Sequence, residues 1–129
     1  MVQQIQIVLA DANPLVLSAM SEIIDRDPRF SLVATSSTAE GFLRTVMRVP
    51  VDVGIVDWDI PALGGAKLIE VLRDQEAAPR IVVYGEGTKD LPRITLSAGA
   101  AAFASRSDEI DSLLDVAWMS TREKWFSLF

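Results

Sequence analysis

The sequence contains no cysteine and no histidine. Without thiols there is neither a disulfide framework nor a thiolate metal site, and without imidazoles the usual zinc ligands and the commonest general base are missing. Basic residues are also sparse: 12 Lys and Arg stand against 18 Asp and Glu, a formal net charge of −6. They are scattered from Arg26 to Lys124 without forming a stripe that could follow a phosphate backbone. This segment by itself is therefore not expected to bind nucleic acid. No hydrophobic run reaches the length of a membrane span, and the opening MVQQIQIVLAD has no basic segment ahead of its short apolar stretch. A soluble, cytoplasmic protein is expected.

Half of the 129 residues are hydrophobic, enough to build one compact domain with a genuine core. Short runs rich in β-branched or aromatic residues recur along the chain. They predict strands over Ile5 to Ala10, Phe30 to Thr35, Val53 to Val56, Ile81 to Tyr84 and Ala101 to Ala104. Segments of helical period lie between them. Asn13-Pro14 is a cap followed by proline at the first helical position, with Leu17, Met20, Ile23 and Ile24 on one face. Ser37 and Glu40 have the spacing of a capping box before Phe42, Leu43, Val46 and Met47. A third helix carries Leu68, Ile69, Val71 and Leu72. A fourth opens at Thr88 and uses Ile94, Leu96 and Ala98. Ser107 opens a fifth, with Asp108 and Glu109 at the positive end of its dipole and Ile110, Leu113, Leu114 and Ala117 buried.

Five alternating units of this kind predict an α/β fold, (βα)5, with a doubly wound parallel sheet and right-handed crossovers. The strands with unbroken apolar runs, the first, third and fourth, belong in the centre. The order 2-1-3-4-5, flavodoxin-like, satisfies this and creates a switch point between the first and third strands, where ligands bind beyond the carboxyl ends. Asp11 and Asp57 fall at those two ends. Two converging carboxylates repel unless a cation or proton intervenes, which points to a hard divalent ion with oxygen ligands, Mg²⁺. The plainer reading of either residue alone is an Asp that opens a loop or ends a strand.

The segment IVDWDIPALGG, with Asp57, Ile60-Pro61 and Gly65, resembles the phosphoacceptor segment of response-regulator receiver (CheY-like) domains. The Tyr84 to Gly99 interval and the AAFASR segment extend the likeness over residues 5 to 119, with Phe103 at the family's aromatic switch position. The DANPL segment and the following helix are similar to receivers of LuxR/NarL-type transcription regulators. The resemblance implies a non-enzymatic switch in a two-component system. Asp57 would accept a phosphoryl group from a histidine kinase, with Mg²⁺ held by Asp11 and Asp57. At Asp59, where the family uses a backbone carbonyl as ligand, the side chain either joins as a ligand or faces solvent. The resemblance also implies contact with DNA only through a domain outside this chain, while the crowded apolar residues of the C-terminus, Trp118 to Phe129, point to a homodimer contact or a missing domain that covers them.

The departures are as specific as the matches. The family's acidic pair after the first strand is here Asp11-Ala12, and Asp59 is the acid available to compensate. Tyr84 replaces the small hydroxyl residue that contacts the phosphoryl group; its ring is expected to fill the pocket that the switch aromatic enters. Arg106 replaces the family's lysine, keeping charge but exchanging a compact ammonium for a planar fork that can pair with Asp57 without phosphate. Two outcomes stay open: a weakly phosphorylatable receiver, or one that acts without phosphorylation.

Two other classes share parts of the pattern. VDWDI imitates the Asp-x-Asp nucleophile motif of haloacid-dehalogenase-type phosphatases, but on the third strand and with Pro61 where Thr or Val is expected. A flavin-binding module would share the sheet, but DANPL lacks a hydroxyl- and glycine-rich phosphate cradle. At the C-terminus, Trp118, Trp125, Phe126, Leu128 and Phe129 exceed what one helix face buries. Residues 1–119 are accordingly expected to form the receiver, and 120–129 the end of its last helix and the start of a linker to an effector domain or partner. Trp58, beside Asp57, is a candidate contact for a kinase or partner.

Overall fold

A computed structural model describes residues 3–60, 65–75, 78–86 and 90–122. Ten elements alternate: β1 (Ile5–Ala10), α1 (Pro14–Arg26), β2 (Phe30–Ser36), α2 (Ala39–Val46), β3 (Val53–Asp57), α3 (Gly65–Arg73), β4 (Arg80–Gly85), α4 (Leu91–Ala98), β5 (Ala102–Ser105) and α5 (Ile110–Ser120). The strands form one parallel sheet in the order β2-β1-β3-β4-β5, as the burial pattern of the sequence predicts. β1, β3 and β4, apolar on both faces, are central. The more polar β2 and the alanine-rich β5 are the edges.

Side chains alternate across the sheet, so each strand feeds two cores. On one face Ile7, Leu9, Ile55, Val82 and Tyr84 pack with Met20 and Ile24 of α1 and Leu113, Leu114 and Ala117 of α5. On the other, Val8, Ala10, Val56, Ile81 and Val83 pack with Phe42 of α2, Leu68, Ile69 and Leu72 of α3, and Ala98 of α4. Phe42 is fully buried, a contribution of roughly 1.5 to 3 kcal/mol. Gly54 makes room for it: a Cβ there would lie 2.5 Å from Phe42 Cζ. Asn13 caps α1, its side chain accepting from the Leu15 amide at 2.9 Å, with Pro14 in the first turn. Gly99, at φ 118°, closes α4 in the left-handed region that side chains disfavour.

Several boundaries differ from the sequence reading. β2, β3 and β4 run one or two residues longer than predicted, and β5 is shifted by one, because Ala101 already bonds its amide to the Ile81 carbonyl at 2.8 Å in the preceding turn. Thr38, not Ser37, caps α2: its Oγ1 accepts from the Gly41 amide at 3.0 Å. The Ser37–Glu40 capping box is therefore out of register by one residue. α5 begins at Ile110 with Glu109 as its cap residue, so Ser107, Asp108 and Glu109 precede the helix instead of forming its first turn. α4 begins at Leu91, and Thr88 lies outside the described residues. The buried face of α4 is Leu91, Thr95 and Ala98, which leaves Ile94 (41 %) and Leu96 (49 %) outward. Met47 is likewise exposed, and Val71 is only partly covered.

At the C-terminus Trp118 is half-buried against the α1/α5 core, with the Arg122 guanidinium 3.9 Å from its ring centroid. Trp125, Phe126, Leu128 and Phe129 lie outside the described residues. Among the described residues no helix is long and apolar enough to cross a membrane.

Candidate functional site

Parity of the strands decides what meets at their carboxyl ends. Asp11 continues the side of β1 that carries Ile7 and Leu9, and Asp57 the side of β3 that carries Ile55. Tyr84 lies on the same face, in register with Asp57 across β3 and β4. Arg106 directly follows β5 and donates its amide to the Gly85 carbonyl at 2.7 Å, which pins the base of its side chain to the end of β4. Four polar side chains from four different segments converge there.

Each carboxylate is first held by its own backbone. The Asn13 amide donates to Asp11 Oδ1 at 2.8 Å and the Asp59 amide donates to Asp57 Oδ1 at 3.1 Å. Both are turns in which an Asp side chain accepts from the amide two residues on. The Tyr84 hydroxyl donates to Asp11 Oδ2, and Arg106 Nη2 donates to Asp57 Oδ1. Arg106 Nη1 also lies 4.0 Å from Asp11 Oδ2, and the guanidinium carbon is 5.2 Å from the centroid of the Tyr84 ring. The guanidinium thus stacks near the phenol and spans both acids. Asp11 is 1 % exposed and Tyr84 4 %.

Burial and charge set the protonation states. Burial pushes the Asp57 carboxyl above the usual range, and the Asp11 charge adds to this, while the Asp59 amide and Arg106 pull the other way. Burial and the Asp11 carboxylate push the Tyr84 phenol far upward, so it remains a donor. Burial opposes the charge on Arg106, but Asp57 outweighs it and holds the guanidinium protonated.

Of the residues singled out by sequence, Asp11, Asp57, Tyr84 and Arg106 come together; Asp59 and Phe103 do not join them. The Asp59 side chain is exposed, and its part in the site is its backbone amide. Phe103 sits in register with Val83 and packs partly on the opposite core, with α2, α3 and α4. The Tyr84 ring belongs to the α1/α5 face, across the sheet from the core on which Phe103 packs. Trp58 is half-buried on the Phe103 side and donates its amide to the Tyr84 carbonyl at 2.9 Å. Sequence reasoning missed Asn13 and Gly85 as site residues. The Asp-x-Asn spacing at residues 11–13 is the signal that would have found Asn13.

This sheet, with an acidic pair at its switch point and a cation after the fifth strand, has the layout of a receiver module. Comparison with known proteins agrees: the model of the response regulator receiver domain matches residues 7–117, and the chain belongs to that family. It is 28 % identical over 116 residues to "Probable transcriptional regulatory protein SgaR" of Hyphomicrobium methylovorum, covering 89 % of this chain and 55 % of that protein. It is 24 % identical over 109 residues to the nitrate/nitrite response regulator protein NarL of Escherichia coli K12, covering 84 % of this chain and 50 % of NarL. The receiver domain of the Francisella response regulator 1452 superposes with a TM-score of 0.83 at 16 % identity, over 94 % of this chain and 99 % of that one. The chain spans about half the length of these two curated relatives.

Receiver domains typically bind Mg²⁺ at the acidic pocket. The donor set of this chain does not suit such an ion. Ala12 supplies no carboxylate, Asp59 faces solvent, Asp11 Oδ2 is engaged by the Tyr84 hydroxyl, and a guanidinium lies against both remaining acids. Among the described residues no group of three or more acidic side chains is placed to hold a metal.

Proposed function

We propose that this domain is the receiver of a NarL-type transcription regulator whose output does not depend on phosphorylation. Asp57 occupies the phosphoacceptor position, and the observation that carries the reading is its ion pair with Arg106. Both hydrogen bonds to Asp57 fall on Oδ1, so an oxygen remains to attack, but transfer also needs the counter-charge placed on the incoming phosphoryl oxygens. Here the guanidinium is spent on Asp57 itself. The Tyr84 hydroxyl, at the position of a phosphoryl-contacting side chain, is spent on Asp11.

In this reading the domain is not an enzyme. It works in the cytoplasm through contacts of its folded surface, as a homodimer, and passes its state to a DNA-binding domain outside this segment or to a partner. A histidine kinase then serves as a binding partner and not as an obligatory phosphoryl donor. The difference in favour of one state needed to turn a two-state switch from mostly off to mostly on is about 5.5 kcal/mol. Charge-assisted hydrogen bonds contribute about 1.5 to 3 kcal/mol each, so diverting Arg106 and Tyr84 to Asp57 and Asp11 withholds from a phosphoryl group two contacts that together approach that difference.

Acetyl phosphate with Mg²⁺ tests the reading by intact mass. The expected result is no gain of a phosphoryl group by the wild-type domain. A stoichiometric gain that disappears in Asp57→Asn would overturn it.

A further inference from the structure

We infer that Arg106 is the resident cation of the Asp11–Asp57 pair: its guanidinium fills the charge-balancing place of a divalent ion, and the site takes no Mg²⁺. The inference rests on the receiver reading for the identity of the site, but not on whether Asp57 accepts phosphate. Two buried carboxylates on neighbouring strands repel unless a cation or a proton lies between them. Arg106 supplies the cation in a form suited to the task. Nη2 donates to Asp57, while Nη1 reaches to 4.0 Å from Asp11. A lysine ammonium is a single point, whereas the planar fork presents two nitrogens to two acids at once.

Three features fix the guanidinium there. The amide of Arg106 is bonded to the Gly85 carbonyl at 2.7 Å, the Tyr84 ring lies 5.2 Å away, and the Tyr84 hydroxyl takes up the other side of Asp11 Oδ2. Ala12 makes sense in the same terms. A third acid would add a charge that one guanidinium leaves unbalanced, whereas two acids and one arginine leave a single excess negative charge, shared over a hydrogen-bonded network. A cation tethered to the chain is present at every metal concentration, so the site is insensitive to Mg²⁺.

The test uses wild type, Arg106→Met and Arg106→Lys, each melted in EDTA and in 10 mM MgCl₂, with amide spectra of the wild-type domain titrated with Mn²⁺. The expected result is a wild-type midpoint that moves by less than about 1 °C, and no Mn²⁺ broadening of the amides of Asp11, Asp57 and Trp58. Arg106→Met is expected to melt lower in EDTA and to regain about 3 °C or more with Mg²⁺, as ligand linkage requires once the acids must recruit an external cation. Arg106→Lys, whose single ammonium cannot face both acids, is expected to show a smaller Mg²⁺-dependent rise than Arg106→Met. Selective broadening of those amides in the wild type, or a Mg²⁺-dependent rise in its midpoint, overturns the inference. The wild-type measurement decides even if Arg106→Met fails to fold. Metal binding without phosphoryl transfer would sink the resident cation and leave the proposed function standing; phosphoryl transfer in EDTA would do the reverse.

Discussion

Tyr84→Phe isolates a single buried hydrogen bond. The ring stays, so the α1/α5 core keeps its packing, and only the donor to Asp11 Oδ2 is removed. No neighbour on hand replaces it: Arg106 Nη1 is 4.0 Å away, beyond hydrogen-bond distance. A buried acceptor left without its partner costs about 1 to 3 kcal/mol, and a carboxylate belongs at the upper end. Unfolding entropy scales at about 2.1 cal/mol/K per residue, so for a domain of this size each kcal/mol corresponds to roughly 4 °C. A loss of about 2 to 3 kcal/mol therefore lowers the melting midpoint by roughly 8 to 12 °C. Urea unfolding followed by tryptophan fluorescence measures it, and a cycle with Asp11→Ala separates the bond from the rest. With Asp11 absent, Tyr84→Phe has no partner to strand, so the two changes should couple by about 1 to 2 kcal/mol. Additivity within about 0.5 kcal/mol, or a Tyr84→Phe domain as stable as wild type, would refute the reasoning.

Two aspartates should show opposite pH dependence. The folded pKa of Asp57 is raised, chiefly by burial, so the stability of wild type relative to Asp57→Asn should grow as pH falls through that pKa and level off below the unfolded value near 3.8. Asp27 is held low by the side chain of Arg29, so its advantage over Asp27→Asn is present above 3.8 and disappears as pH falls through the depressed pKa; urea midpoints from pH 7 to 3 read both. Gly54→Ala drives a methyl group into the Phe42 ring and should cost about 1 to 3 kcal/mol, part of it recovered by Phe42→Leu; calorimetry on the single and double variants gives the answer. Asp59→Ala should leave stability within about 0.5 kcal/mol in the same assay, because the group that holds Asp57 is the backbone amide, which survives the change.

The central strands were legible because their runs are almost wholly apolar, Gln6 being the polar residue inside β1, and the sheet order followed from which strands could tolerate an edge. Helix starts were less legible, for one physical reason. Four strand ends use the same device, a side-chain oxygen accepting from the amide two residues on: Asp11 to Asn13 at 2.8 Å, Ser36 to Thr38 at 3.2 Å, Asp57 to Asp59 at 3.1 Å and Ser105 to Ser107 at 3.3 Å. Such turns take up residues between strand and helix. At Ser37 and Ser107 a hydroxyl that looks like a helix cap lies inside the connection, and the helix begins later.

The same device explains the site. Where the turn residue is serine, the strand end is neutral and closed. Where it is aspartate, one oxygen holds the backbone and a charge is left over, and because β1 and β3 are adjacent the two leftover charges face each other. Composition and spacing located those charges, and the likeness to the family pointed to Arg106 as a partner of Asp57, but neither gave the placement of Tyr84 and Arg106 around the pair. That depends on the register of β4 and on the Gly85 carbonyl that holds Arg106, both long-range facts. Asp11 and Asp57 are thus fixed by local turn chemistry, whereas their charge balance depends on Tyr84 and Arg106, both brought in by long-range contacts.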